Sequence, residues 1–159
     1  MDLFSIIALG GFIAACFVAA LMGSLFRPGD WYEGLDKPAW RPPNKVFAPV
    51  WTVLYLMIAA SGWLVWRSAG FGLPLAVYFV QLALNAVWSY LFFGRRRADL
   101  GFYDIVALWI AIAATIALFA GISGWATALL VPYFAWVSFA AALNFSVWRR
   151  NPPKPTARP

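Results

Sequence analysis

The sequence predicts an all-α fold, an integral membrane bundle of five transmembrane helices, on three observations. Of its 159 residues 64% are hydrophobic and only 11% charged, where a soluble domain carries about 25% charged residues. Five apolar runs each approach the ~20 residues that cross a bilayer. The cations gather in short clusters between those runs, as juxtamembrane anchors do.

The first run covers residues 3–26. It lacks a basic leader, is long for a signal peptide, and precedes no polar domain, so it reads as a retained helix. Gly11, Ala15, Ala19 and Gly23 recur every fourth residue along it. Such a stripe lets another helix approach closely, either inside the bundle or across a dimer. Cys16 lies mid-run and, as the only cysteine, reads as a small buried hydrophobe.

Residues 27–45 form the one long connection, rich in proline, tryptophan and charge. Pro28, Pro38, Pro42 and Pro43 restrict its backbone, and Trp31, Tyr32 and Trp40 give it apolar mass. Two readings follow: a stiff lid over one end of the bundle, or an interfacial anchor at headgroup depth.

The second run covers residues 46–66 and places Trp51 and Tyr55 one turn apart. A tight turn leads to the third run, residues 73–93, where Gln81, Asn85 and Ser89 share one face beside Trp88. Polar groups at this depth face the bundle interior, as interhelical hydrogen bonds or as the wall of a ligand pocket. The basic turn Gly-Arg-Arg-Arg-Ala-Asp precedes the fourth run, residues 100–120. Asp104, one turn into it, is expected to snorkel or pair with the nearby arginines.

The fifth run covers residues 125–148 and aligns Pro132, Tyr133, Trp136, Ala140 and Asn144. Aromatic stripes of this kind serve core packing or a binding box. The bundle is thus one domain, residues 1–150, with a polar, proline-rich tail, residues 151–159, expected to be disordered.

The cations of the long loop, the third loop and the tail fall on one side of a five-span topology. The positive-inside rule places that side, with the C-terminus, in the cytoplasm if the protein sits in an inner membrane. Net charge is +6, and its clustering beside apolar runs argues for a bilayer partner and against nucleic acid. The chain has no histidine and one cysteine. That removes histidine triads, histidine bases and the usual zinc sites, and no metal site is expected.

These residues resemble the TspO/MBR family (tryptophan-rich sensory protein, translocator protein, peripheral-type benzodiazepine receptor). The resemblance rests on Trp31-Tyr32-x-x-Leu35-x-Lys37-Pro38-x-Trp40-x-Pro42-Pro43 and Trp51-x-x-Leu54-Tyr55. It continues with Asn85-x-x-Trp88, Phe92-Phe93 and Pro132-Tyr133-x-x-Trp136-x-x-Phe139-Ala140-x-x-Leu143-Asn144. It covers nearly the whole chain.

The resemblance implies a homodimer of five-helix bundles, each with an aromatic pocket closed by the long loop. It implies a tetrapyrrole such as protoporphyrin as ligand, with no required cofactor. It maps the pocket onto Trp31, Tyr32, Trp40, Trp51, Tyr55, Asn85, Trp88, Trp136, Ala140 and Leu143. Some members promote light- and oxygen-dependent porphyrin breakdown attributed to pocket tryptophans, which gives Trp51 and Trp136 a candidate catalytic role. Carriage of another small apolar solute or of a sterol is the remaining alternative. The family's sterol motif departs here: Leu143 and Arg149 remain, but Phe145 stands where the motif has tyrosine, which weakens sterol binding.

Overall fold

A computed structural model describes residues 2–152. It contains five long helices and one short one, with no strand among the described residues. They are α1 (Leu3–Leu25), α2 (Asp30–Glu33), α3 (Asn44–Ala69), α4 (Leu73–Ser89), α5 (Ala98–Ala120) and α6 (Gly124–Arg150). The five long helices are apolar enough to cross a membrane, α4 with the π turn that extends it to Gly94. All five predicted spans are present, mostly longer by a turn or less.

The boundaries follow from local chemistry. Asp2 caps α1 by accepting a hydrogen bond from the Ser5 N–H at 3.0 Å, which satisfies one of the orphan donors of a helix start. Ser123 does the same for α6 through the Ala126 N–H at 3.2 Å. The Pro42-Pro43 pair holds the chain extended until α3 begins. Gly70, at φ 69°, ends α3 in a conformation that disfavours a side chain. Pro132 lies inside α6 and removes the donor that the Ala128 carbonyl would otherwise meet, yet the helix continues to Arg150.

The π turn Tyr90–Gly94 was not expected from the apolar pattern. Arg95 N donates to Tyr90 O at 2.7 Å and closes it. The wider turn alters the angular step along the helix. Its consequence is that Phe92 is buried while Phe93 meets the long loop.

The long helices close into a ring in the order α1, α3, α6, α5, α4 and back to α1. Lipid tails are as apolar as leucine, so burial alone does not hold such helices together. Close packing and interhelical hydrogen bonds do. Both meet at Gly62 of α3, where an added Cβ would lie 2.7 Å from the Tyr78 ring and 2.9 Å from Phe12. Tyr78 Oη donates to Ile58 O at 3.1 Å, and Ser61 Oγ donates to Ala126 O at 2.7 Å. Cys16 is buried here, as expected, with Sγ 3.7 Å from Tyr78 Oη.

The small-residue stripe of α1 is used inside the bundle over its second half. Ala19 is buried, and a Cβ on Gly23 would touch Ser89 at 3.7 Å. Gly11 is exposed, and its Cβ would meet nothing within 4 Å. The long loop and the start of the tail lie at the same end of the ring, because Asp36 and Asn151 are hydrogen-bonded to each other. Residues 153–159 of the expected tail lie outside the described residues.

Candidate functional site

The site is built at the end of the bundle beneath the loop between α1 and α3. The loop is internally fastened. Lys37 Nζ donates to three carbonyls, Tyr32 O at 2.6 Å, Glu33 O at 2.9 Å and Leu35 O at 2.9 Å. An ammonium has three donors and all are used. Its position 4.9 Å from the centre of the Tyr32 ring adds a cation–π contact. Arg41 donates to Tyr32 Oη at 3.3 Å from the other side.

The loop is also fastened to α6. Asp36 N donates to Asn151 Oδ1 at 2.9 Å, and Asn151 Nδ2 donates back to Asp36 O at 2.9 Å. Arg150 pairs with the Asp36 carboxylate at 3.3 Å. The side chain of Asn151 thus imitates a backbone partner and ties the loop to the end of α6. Elsewhere at this end Arg97 is bonded to Asp99 by two hydrogen bonds, and that carboxylate raises the guanidinium above its ordinary range.

Two aromatic groups lie under the loop. In the first, Trp31 and Tyr32 meet Phe92 edge-on at 5.8 and 6.1 Å, Tyr32 meets Phe93 at 5.4 Å, and Trp88 stacks on Phe92 at 5.1 Å. Leu143 is buried in the same cluster. In the second, α3 faces α6. Phe47 meets Trp136 at 5.7 Å, Trp136 meets Phe139 at 5.6 Å, and Trp51 meets Tyr55 at 5.4 Å and Tyr133 at 6.2 Å. Trp40 reaches down from the loop onto Phe139 at 5.6 Å while remaining 51% exposed. Phe47 and Phe139 also pack against the first cluster, so the two groups are continuous. Ala140, half-buried, lies one turn from Trp136 on α6.

A hydrogen-bonded chain runs beneath the rings. Tyr55 Oη donates to Asn85 Oδ1 at 2.6 Å, Asn85 Nδ2 donates to Tyr133 Oη at 2.8 Å, and Tyr133 Oη donates to Gln81 Oε1 at 2.9 Å. A second chain passes from Trp88 Nε1 to Asn144 Oδ1 at 3.0 Å, and from Asn144 Nδ2 to Ala98 O at 2.8 Å. Gly101 permits this crossing, since its Cβ would sit 3.1 Å from Asn144 Oδ1 and 2.9 Å from Phe92. Among the described residues four buried polar atoms have no hydrogen-bond partner: Trp136 Nε1, Gln81 Nε2, Asp104 Oδ2 and, at the far end of α1, Ser5 Oγ. Leaving a buried polar atom unpaired costs about 1–3 kcal/mol, and Trp136 Nε1, which lies among the ring faces, suits a ligand that supplies the partner.

All ten residues expected to line the pocket are at this end or just beneath it, and they are drawn from the loop, α3, α4 and α6. The interhelical reading of the α4 polar face is seen directly: Asn85 bonds to Tyr55 and Tyr133 and Gln81 accepts from Tyr133, while Gln81 Nε2 has no partner. The expectation for Asp104 is corrected. It is 8% exposed and, among the described residues, makes no ion pair. Its position on α5 turns it inward, on the side that carries buried Gly101 and Leu108, so it cannot snorkel toward the arginines. Reasoning from the spans missed Phe47 and Asn151. Phe47 is four residues before Trp51 and so on its face. Asn151 gave no signal, since its role depends on where the loop folds back.

The TspO/MBR family model matches residues 12–149. A tryptophan-rich sensory protein of Cereibacter sphaeroides is 40% identical over 147 residues, covering 92% of this chain and 93% of that protein. Protein CrtK of Rhodobacter capsulatus is 40% identical over 148 residues, covering 89% of this chain and 91% of its own length. The human translocator protein is 40% identical over 149 residues, covering 89% of this chain and 88% of its own.

Proposed function

The chain belongs to the TspO/MBR family, and on that premise we propose that it binds a protoporphyrin-type tetrapyrrole under its loop, as a membrane translocator or sensor. One observation carries the reading: Trp136 presents a buried indole N–H without a partner inside a continuous cluster of aromatic faces. A flat conjugated ring suits such faces, each ring pair contributing ~0.5–1.5 kcal/mol beyond area burial. The rings now contact one another, so binding has to part them, and the loop, held to α6 by Asn151 and one ion pair, has to release with them. Arg41 at the loop and the basic turn at the same end can meet the propionates by charge-assisted hydrogen bonds.

In an inner membrane the cation bias puts this end, with the C-terminus, in the cytoplasm. The family-type homodimer would use a lipid-facing surface, and the open Gly11 of α1 supports one there. A sterol is disfavoured as ligand, because the Phe145 ring packs on Phe102 at 5.2 Å and offers no hydroxyl.

A second reading has Trp51 and Trp136 driving light- and oxygen-dependent breakdown of the bound porphyrin. It is favoured by the ring contacts of Trp51 with Tyr55 and Tyr133, which set two further oxidisable side chains against one indole.

Titration with protoporphyrin, read as quenching of tryptophan fluorescence, tests the binding. A saturable curve at one ligand per chain supports it. Linear quenching, equal to that of a tryptophan analogue in the same detergent, overturns it. Illumination of the loaded protein, with product analysis, tests the second reading.

A further inference from the structure

A second concave surface lies on the outside of the bundle between α5 and α6, away from the loop site. It encloses about 440 Å³. On α6 it is lined by Ser138, Ala141, Ala142 and Phe145, a stripe at i, i+3, i+4 and i+7. On α5 it is lined by Phe102, Val106 and Trp109, again one stripe. The two alanines make the hollow, because the facing side chains are large and these are not.

Its two ends differ. At one end Trp109 is locked, its Nε1 donating to Ser138 Oγ at 2.8 Å while its ring lies 4.9 Å from Phe134. That hydrogen bond uses the polar atoms there and leaves the hollow apolar. At the other end Phe102 and Tyr103 gather against Trp148 at 5.4 and 5.8 Å, an arrangement typical of headgroup depth. Arg149 continues the α6 stripe one turn beyond Phe145. It is exposed and, among the described residues, has no ion pair, whereas Arg150 is committed to Asp36 and Arg97 to Asp99. The one carboxylate at the start of α5, Asp99, is therefore already matched.

An apolar trough with an exposed, unpaired arginine one helical turn beyond its lining has the shape and charge of one ligand class. We propose that this groove is a site for a single anionic phospholipid, its acyl chain lying along Ala141 and Ala142 and its phosphate held by Arg149. The proposal is independent of what the loop site binds. A cation near a membrane surface attracts acidic lipid by an amount equivalent to roughly a five-fold preference per arginine.

The full chain in a non-ionic detergent, analysed by native mass spectrometry with phosphatidylglycerol and phosphatidylcholine of identical acyl chains, reads this directly. The parent should retain one phosphatidylglycerol roughly five-fold more than phosphatidylcholine. Arg149→Gln should bring the ratio close to one. Arg27→Gln, which removes an exposed arginine beside α1 on the other side of the ring, should leave it unchanged. Ala142→Phe, which fills the trough from an exposed position, should lower retention of both lipids with unaltered thermal unfolding. Equal retention by the parent, equal losses in Arg149→Gln and Arg27→Gln, or full retention in Ala142→Phe would each overturn the site. Complete displacement of phosphatidylglycerol by a sterol would do so as well.

Discussion

The half of the bundle around Gly62 and the half under the loop are built from similar residues to opposite ends. Around Gly62 the rings of Phe12, Tyr78 and Phe119 interlock, with Tyr78 and Phe119 fully buried. The polar groups of Ser61 and Tyr78 are satisfied by carbonyls of neighbouring helices. Under the loop the rings are as numerous, but Trp136 Nε1 and Gln81 Nε2 have no partner. The cover there is a loop held by a lysine, an asparagine and one ion pair. Aromatic content therefore does not distinguish a core from a site. An unpaired indole N–H among ring faces, beneath a loop rather than a helix, marks the second half as the candidate site, although Ser5 Oγ of the first half is also without a partner.

The largest expected effect falls on the closed half. Gly62→Ala places a methyl 2.7 Å from Tyr78, between elements with no room to give. It should cost about 1–3 kcal/mol by overpacking, read as a lower unfolding temperature of the detergent-solubilised chain. Gly11→Ala, in open space on α1, should leave that temperature unchanged or higher. Equal responses would show that Gly62 is packed no more tightly than an open position on a neighbouring helix.

On the loop half, stability and ligand retention should separate. Asn151→Ala removes the reciprocal hydrogen bonds to Asp36. Two bonds at ~0.5–1.5 kcal/mol each imply roughly ten-fold faster porphyrin release, with little change in unfolding temperature. Lys37→Met, which removes three bonds from within the loop, should act in the same direction. Stopped-flow dissociation into excess detergent reads both.

Much of this division was legible in the sequence, and some was not. The five spans came from apolar length alone, because a bilayer sets that length. The loop's stiffness came from its prolines. The polar face of α4 came from residues four apart, although its partner, Tyr133, was visible only once α6 lay beside it. Asn151 lay in a segment whose composition suggested disorder, yet it is tied down by a contact 115 residues away in sequence. The π turn was equally hidden, since Phe92-Phe93 looks the same in either helix type. For Asp104, nearness to the arginines along the chain is not nearness in space. The helix face it occupies decides that.

Trp51→Phe tests whether the loop half does chemistry as well as binding. Phenylalanine keeps an apolar ring face, so most porphyrin affinity should remain. Any light-driven breakdown should fall strongly, because the more oxidisable indole is gone. Trp136→Phe should behave similarly. Proportional loss of binding and breakdown would mean that these indoles only shape the site, and breakdown at the parent rate would remove them from the chemistry.

Tyr55→Phe should show the smallest effect. It deletes the bond to Asn85 Oδ1 but leaves Asn85 bonded to Tyr133. Interhelical hydrogen bonds in membranes average about 0.6 kcal/mol, so the unfolding temperature should fall slightly and ligand release hardly at all. A large loss would show that the buried chain acts as one unit.

The claim that the loop covers the ligand is tested most directly by porphyrin release from a variant in which Trp31→Ala and Trp40→Ala are combined. Both side chains reach from the loop onto rings of the bundle, Trp31 onto Phe92 and Trp40 onto Phe139. Their loss should speed release by roughly five-fold or more, by the scale of aromatic pair energies, while thermal unfolding and helix content stay at the parent values. Release at the parent rate from a correctly folded variant would contradict the account and leave the two tryptophans as interfacial anchors.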